Sequence, residues 1–226
     1  MPRNEPVFDP SEPVCPRCLK PLPLCVCDEV KPVAARIGLL ILQHPQEQDK
    51  LLGTARLTAQ QFTGAAFRVG LSWPSLTKVL GRSADPKRWA TLFLGAAKPS
   101  DFPPSRDIAV FDRKGKAVED QDRQLAAIDG VIVLDGSWSQ AKTLWWRNAW
   151  LLKGKRVALR PSRPSQYGRL RREPRREGLS TIEAAGMVLA RLEKRPEIEV
   201  ETGRTFARML QRYSEAANRP AEAPPS

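Results

Sequence analysis

The chain has 226 residues, of which 41% are hydrophobic, enough to bury the core of one large domain and a small appendage. No apolar stretch approaches the length of a membrane span, and the polar, proline-rich start from Met1 to Pro13 has no apolar signal region. These features predict a cytoplasmic protein without a membrane partner and leave protein partners unknown. The 37 Lys and Arg residues against 25 Asp and Glu give a formal net charge of +12, which favours a polyanionic partner.

The four cysteines lie near the N-terminus, as a C-x-x-C pair followed by a C-x-C pair. They are Cys15, Cys18, Cys25 and Cys27. Four thiols this close, in a chain without a secretion signal, favour one structural zinc ion over two disulfides or unliganded thiols. Because so small a segment needs a metal to fold, we expect residues 1–32 to form a zinc knuckle. Arg17, Lys20 and Lys31 would then lie on a rigid surface that could contact nucleic acid.

Alternating strand and helix patterns predict an α/β domain over residues 33–217. The predicted strands are Ile37 to Leu42, Thr91 to Gly95, Ile108 to Phe111, Val131 to Leu134 and Arg156 to Leu159. The first and fourth are continuous apolar runs, typical of buried parallel strands. The predicted helices are Gln48 to Phe62, a stretch with Ala141, Leu144, Trp145, Asn148 and Leu152 inward, Ser180 to Lys194, and Gly203 to Ala217. The tail at 218–226, rich in Pro, Ala and Glu, is predicted to be disordered.

A polar cluster, Asp135-Gly136-Ser137-Trp138, directly follows the apolar run that ends at Leu134. It puts a carboxylate and an indole at the end of a buried strand, where α/β proteins bind their ligands. The pattern therefore indicates a functional site. An equally weighted alternative is that Asp135 caps the next helix and Trp138 fills the core beside it.

The basic residues are concentrated in one segment. Between Lys153 and Arg176 there are ten basic residues and one acid, Glu173, a net charge of +9. Eight of the ten are arginines, whose planar, forked donors suit phosphate. Because prolines and glycines interrupt the segment, we predict a loop after the short strand, and the clustering favours RNA binding over a merely solubilising charge run.

Other patterns limit the chemistry. The chain has no G-x-G pair and no P-loop, which argues against a Rossmann dehydrogenase or a P-loop enzyme. Its single histidine, His44, follows the first strand and is a possible substrate contact, although a structural role is favoured. Ser180 and Glu183 have the spacing of a helix capping box. The same helix start could also offer amides to an anion such as an amino-acid carboxylate.

Several short motifs occur in the order found in DTW-domain proteins. They are Thr54-Ala55-Arg56-Leu57 after a His-Pro-Gln-Glu strand end, Leu134-Asp135-Gly136-Ser137-Trp138-Ser139-Gln140-Ala141-Lys142, Ser165-Gln166-Tyr167 with Arg169 and Arg171, and Ser180-Thr181-Ile182-Glu183-Ala184. The cysteine pairs also resemble those of bacterial members of the family, so the similarity extends from about Cys15 to Tyr213. In the motif that names the family, Ser137 replaces threonine and keeps its hydroxyl.

The resemblance implies a tRNA-uridine aminocarboxypropyltransferase with a SPOUT-like α/β fold. Such a fold has a mostly parallel sheet with helices on both faces and a trefoil-knotted pocket for S-adenosylmethionine. In the implied reaction, N3 of a tRNA uridine displaces methylthioadenosine from the γ-carbon of that co-substrate. Asp135 is then the expected base, and Trp138 the residue that stacks on a base or covers the sulfonium.

The resemblance also implies two sets of binding residues. The residues expected to bind S-adenosylmethionine are Leu94, Gly95, Gly136, Ser137, Ser180, Thr181 and Glu183. The residues expected to contact RNA are His44, Arg56, Tyr167, Arg169, Arg171 and Arg172. Two other functions remain open: a SPOUT-like RNA methyltransferase, and a non-catalytic zinc-knuckle protein that binds RNA. The motif set favours aminocarboxypropyl transfer over both.

Overall fold

The computed structural model describes residues 6, 8, 11–92, 97–168, 170 and 178–218. Five residues of the predicted site lie outside this part of the chain, as does the predicted disordered tail from 219 onward. The five residues are Leu94, Gly95, Arg169, Arg171 and Arg172. No helix within the described part is both long and apolar enough to cross a membrane.

The strands of the described part form one central sheet and one small pair. They are β1 (Val33–Ala34), β2 (Gly38–Gln43), β3 (Phe62–Thr63), β4 (Ala66–Val69), β5 (Trp89–Leu92), β6 (Ile108–Phe111), β7 (Gly130–Asp135) and β8 (Lys155–Leu159). The central sheet has the order β4-β2-β7-β5-β8-β6, while β1 pairs only with β3. All neighbouring strands of the sheet are parallel except β8 and β6. The prediction of a mostly parallel sheet is therefore confirmed.

The helices lie between and after these strands. They are α1 (Ala55–Gln61), α2 (Leu76–Leu80), α3 (Gln121–Ala126), α4 (Trp138–Arg147), α5 (Thr181–Glu193) and α6 (Glu197–Ala217). The helix predicted from Gln48 begins only at α1, because a 3₁₀ turn at Pro45–Glu47 and a turn at Gly53 come first. The last helix begins six residues before the predicted Gly203, directly after Pro196, which is suited to a helix start.

Strand prediction succeeded where a strand is buried. The predictions at β2, β6, β7 and β8 are confirmed to within one residue, and β5 begins two residues before the predicted Thr91. The sequence analysis missed β4, a four-residue edge strand without a fully buried residue. Because edge strands need no continuous apolar run, β4 left no clear pattern in the sequence.

The core lies on both faces of the sheet. In β2, Leu39 and Ile41 face the layer that contains α1 and α5, while Leu40 and Leu42 face the layer of α2 and α4. This alternation follows from the two-residue period of a strand, and it explains why β2 is apolar at every core position. Helices on both faces were predicted, and this is confirmed. Leu152, expected on the buried side after α4, is instead 39% exposed.

The parallel arrangement brings several strand ends to one edge of the sheet. The carboxyl ends of β2, β4, β5, β7 and β8 lie at this edge, which we call the carboxyl edge. The first residue of α5 also reaches it, through a hydrogen bond between Thr181 and Asp135. Ligand sites of open α/β sheets form at this kind of edge.

The cysteine segment packs against the domain rather than extending from it. Val26 lies in a buried cluster with residues of α1, α5 and α6. On the surface of α6, Arg208 donates to Glu29 at 2.8 Å, and Arg212 donates both to Glu29 and to the carbonyl of Cys25. Apolar burial and these charged contacts therefore fix the position of the cysteines relative to the carboxyl edge.

Candidate active site and cysteine cluster

Asp135 is the last residue of β7, and its carboxylate is held by two neighbouring side chains. Gln43 Nε2 donates to Oδ2 at 2.9 Å, and Thr181 Oγ1 donates to Oδ1. Gln43 is the register partner of Asp135 at the end of β2, so the two side chains project from the same face of the sheet. Because a carboxylate has about four acceptor positions, two remain for a further donor. The carboxylate is thus fixed in position and still able to accept a proton.

Asp135 does not cap the following helix, so that alternative from the sequence is wrong. Ser137 is the residue before α4, and its Oγ accepts from the amide of Gln140 at 3.4 Å. Gln140 Oε1 accepts in turn from the Ser137 amide at 2.6 Å, which completes a capping box. Ser137, expected to bind the co-substrate, therefore has a structural task, and the Asp135 side chain is left for the carboxyl edge.

Gly136 is required by the close packing of the turn. A Cβ atom at this position would lie 2.9 Å from Gln140 Cβ and 3.4 Å from His44 Cβ. Both neighbours are tied in place, because the His44 amide donates to the Asp135 carbonyl at 3.0 Å and the Gln140 side chain caps α4. Glycine therefore lets β2 and β7 deliver their polar ends to the same place.

Trp138 is the first residue of α4 and is half-buried. It belongs to none of the hydrophobic clusters on the two sheet faces, so the core-filling alternative from the sequence is not its role there. Trp145 does pack against one of these clusters, as predicted, and the Arg156 guanidinium lies 4.9 Å from its ring centroid. Trp138 follows directly after the turn at Gly136 and Ser137, which joins the end of β7 to the start of α4.

Residues 180–183 form the predicted capping box at the start of α5. The Ser180 amide donates to Glu183 Oε2 at 2.9 Å, and the Glu183 amide donates to Ser180 Oγ at 3.4 Å. Glu183 also accepts from Ser165 Oγ at 2.6 Å and from the Gln166 amide at 2.8 Å. Its carboxylate therefore holds the loop after β8 against α5. The amide of Ile182 is likewise occupied, by Thr54 Oγ1 at 3.3 Å.

Three of the residues expected to contact RNA lie within the described part, and their surroundings differ. Tyr167 is 3% exposed, because its ring packs edge-on against Phe206 and its hydroxyl donates to the Leu52 carbonyl at 2.6 Å. The structure therefore places Tyr167 in the core instead of on an RNA-facing surface. His44 is also buried, and its Nδ1 accepts from the Gln46 amide at 3.3 Å. Only Arg56, stacked 5.0 Å from the Phe67 ring centroid, is half-exposed.

The four cysteines come together as predicted. All are buried free thiols, and their sulfur atoms lie within 4.8 Å of one another. The sulfurs of Cys15 and Cys27 are 3.9 Å apart, close to the separation of about 3.8 Å that tetrahedral zinc with bonds of ~2.3 Å requires. A hydrogen bond from Cys27 lowers the pKa of Cys18 to about 5, and the same contact raises the pKa of Cys27. The donor set therefore fits a structural zinc ion with four cysteine ligands.

The sequence analysis misplaced Lys20. It was expected on the nucleic-acid surface of the knuckle, but it is 5% exposed and its ammonium donates to the Leu51 carbonyl. Burial lowers its pKa to about 8, against the opposing effects of nearby Cys18, Cys27 and Asp135. The knuckle thus directs a cation inward, between the cysteine cluster and the carboxyl edge. Nothing in the local sequence distinguishes Lys20 from a surface lysine.

Gln43 was also missed, although it had a detectable signal. It is a polar residue directly after the apolar run of β2, just as Asp135 follows the run of β7. Pairing these two strand ends would have predicted the contact. The pairing itself joins residues 92 positions apart, which a local pattern does not reveal.

Together, the described residues define an α/β protein with a mostly parallel sheet, a carboxylate fixed at the carboxyl edge and a cluster of four cysteines packed nearby. The family model for the DTW domain matches residues 12–214, so the chain belongs to the DTW domain family. Among solved structures, none matches the chain significantly.

Three curated relatives carry the name tRNA-uridine aminocarboxypropyltransferase 2. The protein of Macaca fascicularis is 29% identical over 83% of this chain and 59% of its own length. The Mus musculus protein is 29% identical over 80% of this chain and 57% of its own length. The Drosophila melanogaster protein is 29% identical over 81% of this chain and 68% of its own length. The chain thus spans less than two thirds of the length of the two mammalian relatives.

Proposed function

We propose that this protein transfers the 3-amino-3-carboxypropyl group of S-adenosylmethionine to N3 of a uridine in tRNA. The observation that carries the proposal is the carboxylate of Asp135, fixed at the carboxyl edge by Gln43 and Thr181. Membership of the DTW family and the names of the three relatives support the same reaction.

The chemistry requires a base at this position. Uridine N3 bears a proton and is a poor nucleophile until that proton is lost, so a positioned base contributes ~10²–10⁴-fold to the rate. Asp135 accepts the proton. A bond then forms between N3 and the γ-carbon of the methionine moiety, and the bond from that carbon to sulfur breaks. Its electron pair stays on sulfur, which yields neutral methylthioadenosine and acp3U.

Other residues bind and orient the two substrates. Trp138 offers its ring to the uracil or to the sulfonium, since an indole face suits both. The backbone at Gly136 and the hydroxyl of Thr181 lie beside the carboxylate and line the co-substrate site, while Ser180 and Glu183 shape it by holding the loop after β8. Leu94 and Gly95 complete this site in our proposal, in a SPOUT-like arrangement with a trefoil-knotted pocket.

The tRNA binds through the basic segment after β8, with Arg169, Arg171 and Arg172 on phosphates and Arg56 at the carboxyl edge. The zinc ion of the knuckle is structural, because the protein provides four cysteine ligands and no position stays open for a substrate. Residues 1–32 therefore act as a support for the catalytic domain at 33–217. The packing of Val26 and Glu29 against α6 supports this role.

The reaction is tested with unmodified tRNA and S-adenosylmethionine labelled either in the carboxyl carbon or in the methyl group. We expect only the carboxyl label to enter RNA. Methyl label alone would show a methyltransferase, and no label in RNA would support simple binding. Asp135→Asn should abolish transfer and leave tRNA affinity unchanged. Its matched control is Asp122→Asn on α3, where the side chain is 80% exposed and the helix leads into the amino end of β7, opposite the carboxyl edge.

A further inference from the structure

One tryptophan of α4 lies on the protein surface. Trp146 is 74% exposed, the highest value of any large apolar side chain in the described part of the chain. Its neighbour Trp145 packs against the core and lies beside the Arg156 guanidinium, so the two adjacent indoles have different surroundings. The helix period explains the difference, because Ala141 and Leu144 turn another side of α4 toward the sheet. Packing of the core therefore gives no reason for a large ring at position 146.

The exposed side of α4 also carries a cation. Lys142 lies four residues before Trp146, a spacing that places two side chains on the same face of a helix. Ser139 is three residues further back, so the three exposed residues form one row, which we call the tryptophan face. Within the ranges that the structure describes, Lys142 pairs with no carboxylate. The tryptophan face thus combines an exposed aromatic ring with an unpaired cation.

The helices on the two sides of the sheet differ in charge. α2 and α4, which cover one face, contain Lys78, Lys142 and Arg147 and no acid. α5 and α6, which pack together on the other side, contain six glutamates and four arginines. The sequence from Gly136 to Arg172 likewise has ten basic residues and no Asp or Glu. A polyanion is therefore attracted to the layer of α2 and α4 more than to the side of α5 and α6.

The tryptophan face continues from the proposed active site. α4 begins two residues after Asp135, so its first residue, Trp138, lies near the carboxyl edge. At 1.5 Å per residue, Trp146 lies about 12 Å further along the helix axis. Two rings so far apart do not stack on the same base. A ligand that reaches both must therefore be extended and carry more than one ring.

We propose that the tryptophan face binds tRNA, which rests on the function proposed above. Trp146 stacks on an unpaired base other than the target uridine, and Lys142 contacts a nearby phosphate. An aromatic ring stacks on any base, but a base inside a duplex is already stacked on its neighbours. The occupant is therefore a loop or a single-stranded end of the tRNA, and the tRNA approaches over the layer of α2 and α4.

A second copy of this chain fits the tryptophan face less well. In a twofold contact the same surface of both copies meets, so Lys142 and Arg147 of one copy would face those of the other. Neither α2 nor α4 contains an acid that could pair with them. RNA provides both partners at once, a base for the ring and a phosphate for the ammonium.

The test measures the affinity of the full chain for unmodified tRNA and for a fully paired RNA duplex, over a range of salt concentrations. Trp146→Ala should weaken tRNA binding about 5- to 150-fold, the range for losing one stacked base, without changing the slope against salt. Its affinity for the duplex, which offers no unpaired base, should equal that of the wild type. Trp146→Phe keeps a stacking ring and should recover most of the tRNA affinity. Lys142→Gln should instead reduce the salt slope by about one.

Two variants serve as matched controls. Val200→Ala removes another exposed apolar side chain, on α6, and Lys114→Gln removes an exposed cation in the turn after β6. Because β6 runs antiparallel to β8, this turn lies at the edge of the sheet opposite the carboxyl edge. Neither control should change the affinity for tRNA or its salt slope.

Three results would overturn the assignment. The first is wild-type tRNA affinity of Trp146→Ala, and the second is equal weakening of tRNA and duplex by this variant. The third is a wild-type dimer that Trp146→Ala converts to a monomer in sedimentation while tRNA affinity is unchanged, since the face would then be a contact between copies. Melting temperatures of the variants exclude unfolding as the cause of any loss.

The proposed function fails separately from the tryptophan face, because the affinities are measured without S-adenosylmethionine. A wild-type protein that shows the predicted affinities but transfers only methyl label to tRNA contradicts the reaction and supports the tryptophan face. Transfer of the carboxyl label together with unchanged tRNA binding by Trp146→Ala has the opposite meaning.

Discussion

The contact between Thr181 and Asp135 allows a sharp test of how the base is held. Thr181→Val keeps the shape of the side chain and removes the hydroxyl that donates to Asp135 Oδ1. A hydrogen bond to a charged group contributes about 1.5–3 kcal/mol, and about 1.4 kcal/mol corresponds to tenfold in rate. We therefore expect kcat to fall about 10- to 100-fold. Because Thr181 positions the base, the KM for tRNA should stay within about 2-fold.

The assay is the release of methylthioadenosine under saturating substrates, measured for Thr181→Val, Thr181→Ser and Asp135→Asn. Thr181→Ser retains the donor and should keep most of the activity. Asp135→Asn, which lacks the base, gives the inactive baseline of the assay. A Thr181→Val protein with wild-type kcat would refute the role of this contact.

Three more outcomes are expected from other parts of the molecule. Cys18→Ser should reduce bound zinc from one per chain to near zero, as measured by metal analysis, and full zinc occupancy would contradict the assignment of the four cysteines as ligands. The same variant should have a lower Tm by calorimetry, because the knuckle packs on α6 through Val26. Ser137→Ala removes the cap of α4, which should cost ~1 kcal/mol and lower Tm by about 2–4 °C, while Ser139→Ala should not. Arg171→Ala should reduce the slope of tRNA affinity against salt by about one, in a salt titration, and an unchanged slope would argue against a phosphate contact.

The sequence predicted those parts of the fold that depend on local pattern. The apolar run before Asp135 predicted β7, the spacing of Ser180 and Glu183 predicted the start of α5, and the cysteine spacing predicted the cluster. Each of these signals lies within about a dozen residues. A strand that is buried on both faces of the sheet has a continuous apolar sequence, and a helix capping box has a fixed residue spacing. Both patterns are therefore visible in the sequence without knowledge of the tertiary structure.

The sequence could not reveal contacts that depend on how distant segments pack. Lys20 and Tyr167 were expected at the surface because their tips are polar, but the carbonyls of Leu51 and Leu52 accept from them inside the protein. The partner of Asp135 on β2 is set by strand order, which places β2 beside β7 although four other strands lie between them in the chain. Side-chain partners of this kind follow from topology, and no local period encodes them.

The central claim is that Asp135 activates uridine N3 for attack on the γ-carbon of S-adenosylmethionine. The most direct measurement is a single-turnover reaction with bound tRNA, in which methylthioadenosine and the modified nucleoside are quantified together by mass spectrometry. We predict that the wild-type protein forms methylthioadenosine and acp3U in equal amounts, and that Asp135→Asn forms neither while binding tRNA normally. Release of S-adenosylhomocysteine with a methylated nucleoside, or undiminished acp3U formation by Asp135→Asn, would contradict the claim.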